Sequence, residues 1–260
     1  MFWTHFRTAT GMALLEHARN RLALWLVAAY VPVWMALAYS VIAEAPLRFW
    51  LRGPGETLMA QGNQLTQISG ALNAVTQIVG FMMFMVTFKA GDFDRRLALA
   101  GYPRGHLVAA KICALIAAAA VISAYATAIV VLSWQPQQPW LLGVSVFTAA
   151  LTYGALGVML GALLRGELEG MFLIIMISII DLTLQNPIPN PAADNDFLRF
   201  LPAYGAMQSA TAAGFSTTTP TSHLLLELGW FTGLTALSLV VFFHRTRDRR
   251  ATPIRPAVVS

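Results

Sequence analysis

Two carboxylates, Asp181 and Glu227, fall inside runs of otherwise apolar residues. A charge near a bilayer core costs at least about 2.5 kcal/mol, so each position asks for a physical reason. Both lie toward one end of their runs, where they can reach interfacial water. They can also flank the outer mouth of a path and attract a cationic amphiphile, or serve as proton or sodium sites of an ion-coupled carrier. Intramembrane aspartyl proteolysis needs a second carboxylate on a facing helix within GxGD, and that motif is missing. Cys113 is the one cysteine, which excludes an intrachain disulfide, a CxxC pair and a thiolate zinc cage. The histidines at 5, 17, 106, 223 and 244 show no metal-ligand spacing. No Gly-Lys pair exists to build a phosphate loop, the glycines at 154, 157 and 161 do not spell GxGxxG, and neither HExxH nor GxSxG occurs. Catalysis by this chain is not expected, and energy, if consumed, is consumed by another polypeptide.

The elements that must position these groups are read from composition. Of 260 residues, 57% are hydrophobic and 11% charged, and mean hydropathy is +0.62; a soluble domain carries roughly 25% charged residues. The apolar residues gather into stretches at 22–43, 68–88, 112–133, 141–164, 171–184 and 224–243. A helix of about 20 residues crosses a hydrocarbon layer about 30 Å thick, and only helices or closed barrels satisfy their backbones there. The expectation is an all-α membrane protein of six transmembrane helices, forming a single transmembrane domain over 1–260. With both termini cytoplasmic, fourteen of the seventeen cations fall inside and only Arg48, Arg52 and Arg199 outside. The net charge of +5 is therefore loop asymmetry and needs no nucleic-acid partner. The first stretch continues past Ala38 to Ala43 and carries Trp25, Tyr30, Pro32 and Trp34, which reads as a span rather than a cleaved leader.

Shorter segments frame the spans. Residues 1–21 alternate Phe2, Trp3, Phe6, Met12 and Leu15 with His5, Arg7 and Arg19, suiting a helix in the cytoplasmic interface or a solvated terminus. The stretch 171–184 is short, so its helix either begins within the Glu167/Glu169 turn or stops below the outer surface. Asn186-Pro187 and Asn190-Pro191 then break it. Within the outer region 185–223, the segment 197–215 is interrupted by Pro202, Gly205 and Gly214, and reads as a re-entrant pair of short helices. Leu201, Tyr204 and Met207 are its candidate outer gate, with Asp181 and Glu227 near the rim. Phe81 to Met85 is core or lipid contact, or a pliable wall for apolar substrates reinforced by Asn73, Thr76 and Gln77. Gly157 and Gly161 mark close helix packing. Lys111 can snorkel to the inner surface without further role.

The inner loop 89–106 holds the most specific pattern. Asp92 suits an N-cap and Gly101 a left-handed C-terminal position, with Pro103 forbidding continuation, which predicts a separate helix over 92–101. Phe93, Leu97 and Ala100 share one face, an apolar ridge edged by charge. Such a ridge suits a groove in a partner or the bilayer surface equally well.

An amphipathic N-terminal helix, six spans, a capped loop helix ending in Gly-Tyr-Pro-Arg, and a broken hairpin before the last span together resemble the type-2 ABC exporter permeases. The resemblance covers essentially the whole chain and is most specific over 93–111, which looks like that family's coupling-helix segment. The acidic Glu-Arg-Glu-Arg run that often precedes the coupling helix is here Asp92, Asp94, Arg95 and Arg96. The resemblance implies the transmembrane subunit of a bacterial inner-membrane exporter that pairs with a second permease half. It sits on two separate ATP-binding subunits, which hold ATP and Mg, so this chain binds no cofactor. It implies contact with the ATPase through Phe93, Asp94, Arg95, Arg96, Leu97 and Leu99, with Glu167 and Glu169 as a second contact. The cargo it implies is an amphiphilic drug or antibiotic, peptide or lipid, moved outward.

Overall fold

The computed structural model describes residues 7, 8, 10–12, 15, 19 and 21–245. Most of the expected interfacial helix over 1–21 therefore lies outside the described residues. The chain is mostly helical. It begins with α1 (Arg21–Trp25), a π-helical turn (Leu26–Tyr30) and α2 (Val31–Val41), joined without a break in helical backbone angles. Pro32 explains the widened turn: it lacks the N–H for an i→i−4 bond and its ring crowds the preceding turn, which a π turn relieves.

Next comes an element the apolar runs do not announce. Strands β1 (Pro46–Leu51) and β2 (Glu56–Gln61) form an antiparallel hairpin with Pro46 opposite Gln61 and Leu51 opposite Glu56. The expectation of an all-α chain is corrected here. Pro54 and Gly55 supply the turn, Gly55 adopting φ +70, which a residue with a Cβ rarely enters. Leu51 and Leu58 turn inward with Ala212, while Trp50 and Met59 on the other face stay exposed.

The helical body consists of α3 (Gly62–Leu99), α4 (Arg104–Ser133), α5 (Pro139–Leu163), α6 (Glu167–Gln185), a 3-10 turn (Asp196–Phe200), α7 (Tyr204–Phe215) and α8 (Thr221–Arg245). Among the described residues, four stretches are long and apolar enough to cross a membrane: Gly62–Gly91, Gly105–Ser133, Pro139–Leu163 and Thr221–His244. The apolar part of the first helix, Leu26–Val41, is shorter than a full span. The fifth apolar run is resolved by α6 beginning at Glu167, with Gly166 as its N-cap. That gives 19 residues, against the 14 of the uncharged run.

Helix α5 is the axis of the fold and packs against α3, α4, α6, α7 and α8. Its contact with α3 is backbone on backbone: a Cβ placed on Gly157 would stand 2.2 Å from the carbonyl oxygen of Gly80, and one on Gly161 2.7 Å from that of Phe84. Only glycine permits that approach, as expected of a small-xxx-small pair between membrane helices. Met83 and Phe84 are completely enclosed in this seam, which makes them core, while Met82 and Met85 are nearly so. By contrast α4 and α8 keep broad apolar surfaces exposed, including Val121, Leu132, Leu225 and Val240. Helices with apolar residues on both buried and exposed faces are stable where the surrounding solvent is itself apolar.

The second inner element also departs from expectation. No separate helix starts at Asp92, because α3 runs on from Gly62 to Leu99 without interruption. An N-cap residue starts a helix only where the preceding backbone is extended, and here residues 89–91 are already helical. The helix ends where expected: Gly101 adopts φ +90, the Ala100 N–H bonds the Arg96 carbonyl and the Tyr102 N–H bonds that of Leu97.

Candidate functional site

Two regions bring together the residues singled out by type. The first is the hairpin end of the molecule, where α7 is buried along nearly its whole length, from Tyr204 to Gly214. A helix end inside protein leaves N–H groups without intrahelical partners, and these must be met by other acceptors. Asp181 and Glu227 meet them. The N–H of Ala203 donates to Asp181 Oδ2 at 2.9 Å and the N–H of Ala206 to Glu227 Oε2 at 3.1 Å. Negative charge at a helix start is favourable, so the two carboxylates both satisfy and attract the end of α7.

Asp181 is further held by the Tyr153 hydroxyl, which donates to Oδ2 at 2.6 Å, and by the Gln185 side-chain amide, which donates to Oδ1. Its carboxylate is thus fully engaged. Asp181 is 1% exposed and Glu227 0%, which corrects the expectation that both reach interfacial water or stand at a rim. The Glu227 backbone carbonyl accepts from the Thr152 hydroxyl at 3.3 Å, tying α8 to α5 beside the same site.

The candidate gate residues occupy this packed region unevenly. Tyr204 and Met207 are each 2% exposed, and Met207 sulfur lies 3.9 Å from the Ser69 hydroxyl; Leu201 is half-buried at the head of the helix. Tyr204 stacks at a tilt on His223, with ring centroids 5.7 Å apart. Together they make α7 a plug seated in protein. The expected re-entrant pair is one 3-10 turn followed by one helix, because Leu201-Pro202 forces extended backbone between them.

The hairpin is latched over this plug. Arg52 pairs with Asp196 at 2.5 Å and also donates to the Asp194 carbonyl; Asp196 in turn takes Arg199. The Gly53 N–H donates to Gln208 Oε1 at 2.9 Å and the Ser216 hydroxyl to Glu56 at 2.5 Å. Gln137 and Gln138 N–H groups bond the carbonyls of Gly214 and Ala213 at the C-terminal end of α7.

Asn73 and Gln77 point instead toward the first helix. The Tyr30 hydroxyl donates to Gln77 Oε1 at 2.8 Å, and Gln77 Nε2 to Asn73 Oδ1 at 2.6 Å, a polar chain that ties the π turn to α3. Thr76 bonds Ser178 on α6 at 2.8 Å.

The second region is the opposite end, where α3 outlasts its apolar stretch by eight residues, from Gly91 to Leu99. Phe93 is 56% and Leu99 53% exposed, and Arg95 and Arg96 are exposed beside them. Leu97 is half-buried and packs with Leu107, Val108 and Phe242. Asp94 faces inward, where it pairs with Lys111 of α4 at 2.5 Å, both side chains being less than a tenth exposed. This corrects two expectations: Asp94 is a brace between helices rather than a surface contact, and Lys111 is held inside rather than snorkelling. Glu167 and Glu169 are exposed in the first turn of α6 with Leu168 between them.

Sequence reasoning missed Tyr153, Gln185 and Gly53, and gave Lys111 and Arg52 no partner. Tyr153 carried no signal beyond being a polar tip inside an apolar run. Among the described residues no group of three or more His, Cys, Asp or Glu side chains is placed to hold a metal. Comparison with protein-family models gives no match, and comparison with the curated proteins gives none.

Proposed function

We propose that this chain is the permease subunit of an ATP-driven exporter in a bacterial inner membrane, with cytoplasmic termini and α6 and the first helix completing six crossings. It pairs with a second permease half and moves an amphiphilic small molecule outward, the ATP and Mg residing on two separate ATP-binding subunits. The observation that carries this reading is the continuation of α3 beyond its apolar stretch as a rigid, amphipathic post. Phe93, Arg95, Arg96 and Leu99 project from its tip, and the Asp94–Lys111 pair fixes it to α4. A post continuous with a transmembrane helix transmits a push at its tip along the whole of α3, and α3 meets α5 backbone to backbone. The Glu167–Glu169 turn offers a second, acidic contact.

A second reading is an ion-coupled carrier in which Asp181 and Glu227 bind and release the ion. It is favoured by the burial of both carboxylates and by Glu227 Oε1, which has no hydrogen-bond partner among the described residues. Co-purification separates the two. Co-expressed with an ATP-binding subunit, the chain should form a complex that Phe93→Asp with Leu99→Asp, both on the exposed tip, disrupts. Transport by the chain alone, driven by an ion gradient, would establish the carrier instead.

A further inference from the structure

A cavity of about 790 Å³ opens between the N-terminal segment and the Asp94 ends of α3 and α4. That volume is within the range of small-molecule sites, about 300–1,000 Å³. Its wall is apolar, with Met85, Val86 and Leu97 facing Met12 and Leu15, while Arg19 and Lys89 supply cationic groups. The third cation in the lining, Lys111, is already neutralised by Asp94 at 2.5 Å. Arg19 and Lys89 are exposed and form no ion pair among the described residues.

Depth identifies the chemistry. Lys89 lies two residues before the end of the apolar stretch Gly62–Gly91, so the cavity straddles the level where hydrocarbon gives way to headgroups. A small hydrophilic anion would leave the apolar wall wet, and a neutral lipid would leave the cations uncompensated. A ligand with a phosphate at the cations and a hydrocarbon chain in the cavity satisfies both. Among the described lining residues the one carboxylate, Asp94, is occupied by Lys111 and does not oppose an anion.

We propose that this cavity is a binding site for an anionic phospholipid, its phosphate held by Arg19 and Lys89 and an acyl chain lying against Met85, Val86 and Leu97. The site does not depend on the exporter reading, because lipid binding requires no partner subunit.

The test uses the purified full chain titrated with phosphatidylglycerol and phosphatidylcholine and read by native mass spectrometry. Phosphatidylglycerol should bind more tightly. Arg19→Gln and Lys89→Gln should each weaken it about fivefold, the factor for about 1 kcal/mol per basic residue at an anionic surface, and narrow its preference over zwitterionic phosphatidylcholine. Both residues are exposed, so the substitutions do not threaten folding. Ala90→Trp, which fills the cavity, should weaken both lipids. Unchanged phosphatidylglycerol affinity in the double Arg19→Gln, Lys89→Gln variant would overturn the assignment. Displacement of the lipid by glycerol 3-phosphate at comparable concentration would show a free-phosphate site without a chain subsite, and would equally overturn it.

Discussion

The Tyr153 hydroxyl donates to Asp181 Oδ2 at 2.6 Å, and the same oxygen accepts the Ala203 N–H at 2.9 Å. One carboxylate therefore joins the central helix α5, the helix α6 and the entry to the plug α7. A buried carboxylate is tolerable only when donors replace its water, and Asp181 has three. Tyr153→Phe removes one donor without changing the ring's volume. It should lower stability by about 1–2 kcal/mol, the upper range for a hydrogen bond between membrane helices. Thermal unfolding in detergent measures it, and an unchanged midpoint would mean that Tyr153 and Asp181 are not bonded in solution.

The Asp94–Lys111 pair offers a sharper test. Removing one member of a buried pair strands the other charge at a cost of about 3–5 kcal/mol, while replacing both with neutral groups costs far less. Lys111→Met should be severely destabilising and Lys111→Met with Asp94→Asn should recover most of the loss. A cycle in which the double variant is as unstable as the sum of the singles would show that the residues do not interact.

How much of this could be read from the chain depends on the range of the forces involved. Four of the apolar stretches were legible as spanning helices because burial in lipid imposes a local requirement on about 20 consecutive residues. The C-terminal stop of α3 was legible for the same reason, since Gly101 and Pro103 act on their own backbone. The β-hairpin had its local signal in Pro54-Gly55 and in alternating Leu47, Phe49 and Leu51, but a search for apolar runs passes over strands of six residues. The run of α3 through Asp92 was hidden because capping propensity is worth about 1 kcal/mol and a continuing helix outweighs it. Asp94 and Lys111 are separated by seventeen residues, and Tyr153 and Asp181 by twenty-eight. Nothing in one-dimensional spacing says that those side chains meet, so the carboxylates were found by type and their partners were not.

The glycine seam between α3 and α5 makes a quantitative contrast. Gly157→Ala places a methyl 2.2 Å from the Gly80 carbonyl, where only backbone movement can relieve it, and should cost about 3 kcal/mol or more. Gly233→Ala in α8 meets nothing within 4 Å and should stabilise by up to about 1 kcal/mol, as alanine does in a helix interior. Equal melting temperatures for the two variants would refute the close approach.

The ion pair Arg52–Asp196 places the hairpin and the 3-10 turn at one end of the molecule, and the proposed orientation makes that end the outer one. With Cys113 replaced, single cysteines at 48, 136 and 195 should react with a membrane-impermeant reagent from the outside. Cysteines at 95 and 167 should react only from the cytoplasm, as the cation asymmetry requires. Reaction of residues 48 and 195 from opposite sides would break the six-span reading.

Tyr204 supplies the test of the plug. Its ring is buried against His223, yet its hydroxyl has no hydrogen-bond partner among the described residues. A buried hydroxyl left unpaired costs about 1–3 kcal/mol, a penalty that phenylalanine of the same shape does not carry. Tyr204→Phe should therefore be neutral or stabilising, by up to about 1 kcal/mol. Tyr204→Ala empties the same space and should cost about 3–5 kcal/mol. The reading of α7 as an outer gate adds a second measurement: in the assembled transporter Tyr204→Phe should keep closure, while Tyr204→Ala with Met207→Ala should leak solute or raise basal ATPase activity. A large loss of stability in Tyr204→Phe would mean that the hydroxyl has a partner in the working protein, and that α7 sits differently against α8.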